Sequence, residues 1–122
     1  MSDLTKALVR HRAEIASLLD ERFYPLWWVE AEIAAGRIAI MANDTAIIGF
    51  EAKRYPGGAT EVHGMFAAGE LEGILPLIDE VCGLARDLGV TVAAIDSRGG
   101  WARVLKDRGF KQDRVRIVKE LS

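Results

Sequence analysis

The sequence predicts an α+β domain with a mixed, mostly antiparallel sheet flanked by helices. Two observations on the chain carry this prediction. Apolar residues recur at three- and four-residue steps near the N-terminus, then give way to short apolar runs separated by turn signals. From Thr60 onward the order becomes strand, helix, strand, which requires a crossover and a parallel pair.

The first twenty residues read as a helix. Leu4, Leu8, His11, Ile15, Leu18 and Leu19 make one stripe, with Lys6, Arg10, Arg12, Glu14 and Asp20 between them. Ser2 and Asp3 are suitable N-caps. Arg22–Pro25 interrupts the pattern, because a residue before proline avoids the α region. Pro25 can then open a second helix that runs to Ala35 and stops at Gly36. Trp27 and Trp28 would point about 100° apart on that helix, so only one can face the core.

Arg37–Ala42 and Thr45–Lys53 form a hairpin about Asn43-Asp44. Tyr55-Pro56-Gly57-Gly58 is the next turn, and Thr60–Ala67 returns as a third antiparallel strand. A corner follows at Ala68–Gly73. The helix after it carries Ile74, Leu77, Ile78, Val81, Cys82, Leu84, Ala85 and Leu88 on a wide apolar stripe. Pro76 belongs in a first turn, which places the helix start near Glu72 or Gly73, and Gly89 ends it. Val90–Ile95 is an unbroken apolar run, expected as a strand parallel to Thr60–Ala67. Gly99–Arg108 reads as a short helix capped by Gly109, and Lys111–Leu121 as a last strand.

At 122 residues, one domain spanning 1–122 is expected, with half of the residues hydrophobic and 28% charged. The net charge of −2 argues against a nucleic-acid-coating protein. A single cysteine, Cys82, excludes an internal disulfide framework, and His11 and His63 show no metal-ligand spacing. No apolar run reaches the ~18 residues of a membrane span and no signal segment is evident, so a cytoplasmic protein is expected.

The corner at Ala68–Gly73 is the feature with most functional content. Where a strand hands over to a helix, the first N–H groups lack intrahelical partners and the dipole favours an anion.

The element order from Arg37 onward resembles the GNAT superfamily of N-acetyltransferases. The run Trp101-Ala102-Arg103-Val104-Leu105-Lys106-Asp107-Arg108-Gly109-Phe110 is similar to the late helix and Gly-Phe step of that superfamily. Together with the short length, Arg98-Gly99-Gly100-Trp101 is similar to small acetyltransferase-like proteins of tailed bacteriophages. The resemblance implies acetyl-CoA as cofactor, no metal, and a small-molecule or protein amine as acceptor. It implies cofactor contacts at Phe66, Ala67, Gly69, Gly73 and Ile74, with backbone N–H groups of the corner holding the pyrophosphate.

Against the superfamily's Arg/Gln-x-x-Gly-x-Gly/Ala pattern, Glu70-Leu71-Glu72-Gly73-Ile74-Leu75 keeps Gly73. It puts Glu70 where a basic or amide residue is expected, and Leu75 where a small one is. Each carboxylate facing a phosphate at 4 Å costs ~1 kcal/mol in water and ~4 at an effective dielectric of 20. The plainer role of Glu70 and Glu72 is to complement the helix dipole, at ~0.3–1 kcal/mol. The superfamily's tyrosine acid corresponds to Leu105 and its asparagine to Arg98, and neither Tyr24 nor Tyr55 lies near that helix in sequence.

Glu51, Glu61 and His63 are the candidate bases on the central strands. Glu61 and His63 share one face, and imidazole ordinarily titrates near neutrality, which favours His63. The plainer reading of His63 is a hydrogen-bonded structural side chain beside Gly64, which marks a bulge or a close approach. Cys82 reads as a small buried hydrophobe. The basic side chains of Arg98–Lys119 suit a phosphate-bearing ligand, nucleic acid or an acidic partner, or more plainly a charge-protected sheet edge.

Two function classes follow. One is acyl transfer from acyl-CoA to an amine, assisted by His63 or Glu61. The other is a non-catalytic GNAT-fold module, such as a phage virion or assembly protein, with a protein partner. Both allow a homo-oligomer. An open cleft between the parallel strands fits the enzyme; a cleft filled by Trp101 or Leu105 fits the module.

Overall fold

The computed structural model describes residues 2–97 and 100–122. Helix α1 (Asp3–Leu18) starts at Ser2, whose hydroxyl accepts the Thr5 N–H at 3.1 Å. Helix α2 (Leu26–Ala34) has Pro25 as its N-cap, one position earlier than a first-turn proline. The tryptophans divide as their spacing requires: Trp28 packs on the core and against Tyr24, while Trp27 is exposed.

The sheet has the order β1 (Ala39–Ala42), β2 (Ala46–Arg54), β3 (Thr60–Gly69), β4 (Val92–Ile95). The first three pair antiparallel and β4 lies parallel to β3, as the crossover through α3 (Leu71–Asp87) demands. Each face of the sheet is covered. Ile47, Phe66 and Ala68 pack with Ala7 and Ile15 of α1 and Val29 of α2. Ala46 and Ile48 pack with Ile74, Leu77 and Val81 of α3 on the other side. No helix among the described residues is long and apolar enough to cross a membrane.

Two irregularities open the sheet. The β2–β3 register shifts between Gly49 and Phe50: Phe50 stands opposite Gly64 and Gly49 opposite Phe66, which leaves Met65 as an extra residue on β3. The parallel register ends at the same place, with Gly64 against Ile95. A Cβ on Gly64 would come 2.6 Å from Ile95 Cγ2, so glycine is what permits this last close approach. Beyond it, β3 continues to Gly69 with β2 on one side only.

Three expectations need correction. Helix α3 begins at Leu71, because Gly73 and Ile74 both donate to the Glu70 carbonyl at 2.9 Å; Pro76 therefore lies in the second turn. The hairpin turn centres on Asp44-Thr45, with the Asn43 N–H donating to the Ala46 carbonyl at 3.0 Å. Residues 110–122 form no strand. Their alternation suits a sheet, but a strand needs an edge to pair with. This segment instead meets the Asp20–Phe23 loop, where Arg116 lies 4.9 Å over the Phe23 ring and Glu120 pairs with Arg22. The late helix α4 (Gly100–Leu105) ends in a 3-10 turn (Lys106–Arg108) and Gly109 at φ +85°; Gly99 and Arg98 lie outside the described residues.

Candidate active site

The split between β3 and β4 makes a cleft of about 180 Å³. Its walls include Phe50 and Val62 of the sheet, Ile78 and Cys82 of α3, and Trp101 of α4. Leu18 and Phe66, from the side of α1, also line it, so the cleft runs through the sheet where the strands part. Trp101 forms part of one wall and leaves the cleft open. Leu105 is 1% exposed and is not among the lining residues.

On the face towards α1 and α2, the cross-strand pair Glu51–His63 continues to Asp96, just past the end of β4. His63 Nε2 lies 3.1 Å from Asp96 Oδ2, and Nδ1 lies 3.5 Å from Glu51 Oε1. The imidazole is 6% exposed, and Nδ1 is buried at a distance too long for a hydrogen bond. Asp96 is fully in solvent and lines the cleft, whereas His63 stands one residue from the lining Gly64. A proton taken up by the imidazole therefore has a carboxylate route to water. Glu61 is not brought to this row's centre. It faces Lys53 across the strands and abuts Tyr55, whose phenol is held above its ordinary pKa by burial first and by Glu61 second.

Phe66 and Ala67 line the cleft on the unpaired stretch of β3, while Gly69, Gly73 and Ile74 lie at the corner. The corner's donors are largely committed within the chain. The Gly69 N–H donates to the Glu14 carboxylate at 3.0 and 3.1 Å, and Glu70 N–H to the Thr45 carbonyl at 3.1 Å. Gly73 and Ile74 donate to Glu70, which leaves the N–H groups of Leu71 and Glu72 as those without an intrahelical partner. Both glycines here are required by the protein's own packing. Gly69 has φ +106° and a Cβ would overlap the Thr45 carbonyl; a Cβ on Gly73 would overlap Thr45 Oγ1. Asn43 binds the hairpin to the corner, its Nδ2 donating to the Gly73 carbonyl at 2.8 Å.

Burial holds the Cys82 thiol above its ordinary pKa, with Asp79 acting in the same direction. A protonated thiol in the cleft wall fits the hydrophobe expected of it. Sequence reasoning missed Asp96, Glu14 and Asn43. A polar residue just beyond the C-terminal end of a parallel strand could have pointed to Asp96. Glu14 is 55 residues from Gly69, and nothing local signals the pair.

The fold as a whole recurs in solved structures. This is the GNAT acetyltransferase fold. A Trypanosoma brucei acetyltransferase matches with a TM-score of 0.69 at 13% identity, over 95% of this chain and 94% of that one. A predicted acetyltransferase from Clostridium acetobutylicum, solved with acetyl-CoA, matches at 0.65 and 10% identity, over 98% and 90%. The ribosomal-protein-alanine N-acetyltransferase of Brucella melitensis biovar Abortus matches at 0.62 and 12%, over 93% and 95%. No family model and no curated protein sequence matches the chain. At these identities the GNAT likeness establishes fold, and chemistry rests on the site.

Proposed function

We propose that this GNAT-fold chain transfers an acyl group from acyl-CoA to an amine of a small molecule or a protein. The observation that carries the reading is the cleft between β3 and β4 with the Glu51–His63–Asp96 row beside it. Acyl-CoA supplies an activated thioester at the end of an arm that contains two amides. The unpaired edge of β3 at Phe66 and Ala67 suits such an arm, because an extended amide chain can add to a strand as a further strand would. The apolar walls around Val62, Ile78 and Trp101 suit the acyl end.

The amine nitrogen attacks the thioester carbon, the C–N bond forms and the C–S bond breaks. The nitrogen's proton passes to His63 through Asp96 or a water, and Asp96 returns it to solvent. The departing thiolate takes its proton from water, since Leu105 has none to give. The pyrophosphate end fits less well. Gly69 and Gly73 remain its natural cradle, but Glu14 already accepts the Gly69 N–H, and Glu70 and Glu72 stand close by in sequence.

That contact favours a second reading, a non-catalytic module whose corner is closed by its own carboxylate. Calorimetric titration with acetyl-CoA separates the two. Micromolar binding that disappears in Ala93→Trp, which fills the cleft, supports the enzyme. Absence of heat and of any thermal shift at high micromolar concentration overturns it in favour of the module.

A further inference from the structure

We infer, resting on the acyl-transfer reading, that the acyl group this chain takes from its donor is longer than acetyl. It is an uncharged chain of about four to six carbons, lodged in the apolar chamber between the sheet and α3. The cleft has two unlike ends. At the open end stand the exposed Asp96 and Ser97, with His63 bonded to Asp96, where an amine can approach from water. On the α3 side Phe50, Val62, Ile78, Cys82 and Trp101 line the space and rest on the core of Ile48, Ile74, Leu77 and Val81. That core is closed, yet the side chains resting on it are only half-buried. Large apolar side chains in a domain interior are ordinarily sealed by their neighbours; these give a face to the chamber instead.

The lining decides which part of the donor belongs there. Among the described residues, Asp96 and Ser97 carry the only charged or hydroxyl side chains on the cleft. The α3 side offers the Trp101 indole N–H, the Cys82 thiol and no side-chain oxygen. Either amide of the acyl-CoA arm, placed here, would lose its water and leave its N–H without an acceptor. Those amides belong at the unpaired edge of β3, at Phe66 and Ala67. Hydrocarbon has no such loss, so the acyl chain is what suits the chamber.

Size sets the length. The cleft holds about 180 Å³. An apolar cavity of ~150 Å³ takes up benzene, a molecule of six carbons. The thioester itself needs part of the space, which leaves room for about four to six carbons in the acyl group. Acetyl, with a single methyl beyond the thioester carbon, would leave most of the chamber empty. The chain is a spectator in the reaction. At its first carbon the C–S bond breaks and the C–N bond forms, while the amine proton passes to His63.

Calorimetric titration of the full chain with acetyl-, butyryl-, hexanoyl-, dodecanoyl- and succinyl-CoA tests this. Each buried methylene should tighten binding about fourfold, so hexanoyl-CoA should bind roughly 100-fold tighter than acetyl-CoA. Dodecanoyl-CoA should gain nothing over hexanoyl-CoA, because the space is filled. Succinyl-CoA, in which a carboxylate replaces the terminal methyl of butyryl, should bind about tenfold or more weaker than butyryl-CoA. Cys82→Phe fills the chamber and should cut the hexanoyl-to-acetyl affinity ratio about tenfold or more. Val62→Ala widens it and should move the optimum to a longer chain. A variant that merely weakens the fold moves the preference in neither direction, and circular dichroism checks that both are folded. Acetyl-CoA bound as tightly as hexanoyl-CoA overturns the longer chain and leaves acyl transfer standing. Binding of no thioester overturns both. A preference for hexanoyl that both variants leave unchanged puts the chain elsewhere and equally overturns the assignment.

Discussion

The Glu14 carboxylate on α1 accepts the N–H of Gly69 at the end of β3, with its two oxygens 3.1 and 3.0 Å from the nitrogen. It stands where an anion would meet the corner. Replacing it with Gln removes a charge that would repel pyrophosphate by ~1–4 kcal/mol. Glu14→Gln should bind acetyl-CoA about tenfold or more tightly, read by titration. The lost charged hydrogen bond costs about 1–2 kcal/mol of fold stability, read by denaturant melts. Salt gives a second readout: wild-type affinity rises with ionic strength as the carboxylates are screened, opposite to a basic phosphate site.

His63 is the residue to remove for chemistry. Its imidazole lies 3.1 Å from Asp96 Oδ2 and has no reason to touch the cofactor arm. His63→Gln should lower kcat by about 10²–10⁴ with little change in the KM for acetyl-CoA. Asp96→Asn should lower kcat less, since water can replace an exposed carboxylate. Equal kcat in wild type and His63→Gln removes the base assignment.

Gly73 tests whether the corner glycines serve packing. Gly73→Ala drives a Cβ into Thr45 Oγ1 and should cost about 1–3 kcal/mol in melts. Thr45→Ala in the same chain removes the struck atom and should recover more than half of that loss. Additive losses in the double variant mean that the glycine's role lies elsewhere.

Cys82 reports on the cleft. Its thiol is held above the ordinary range chiefly by burial, so the thiolate fraction at neutral pH is below that of an unperturbed cysteine. Maleimide labelling should be slow near pH 7 and rise to a midpoint above that of an exposed thiol. Saturating acetyl-CoA should slow it further, because Cys82 lines the cleft. Labelling at the rate of a free thiol, indifferent to ligand, contradicts both statements.

Much of the fold was legible because its signals are local. The stripe Ile74–Leu77–Ile78–Val81 called for a helix on a sheet, and Gly64 announced the bulge or close approach that the structure realises as both. Pro76 misled about the start of α3, since the Glu70 carbonyl captures the N–H groups of Gly73 and Ile74 before the proline is reached. The alternation of Lys111–Leu121 misled about a strand, because period two states which face is apolar but not whether an edge is available.

The sequence by itself determined the element order as far as the late helix, and the glycine-bearing corner, since propensity, periodicity and turn chemistry act over a few residues. Tertiary structure alone decided what occupies that corner and what flanks His63. Glu14 meets Gly69 across 55 residues, and Asp96 meets His63 across 33. A contact at such separation is set by how α1 and β4 pack on the sheet, and no local preference encodes it.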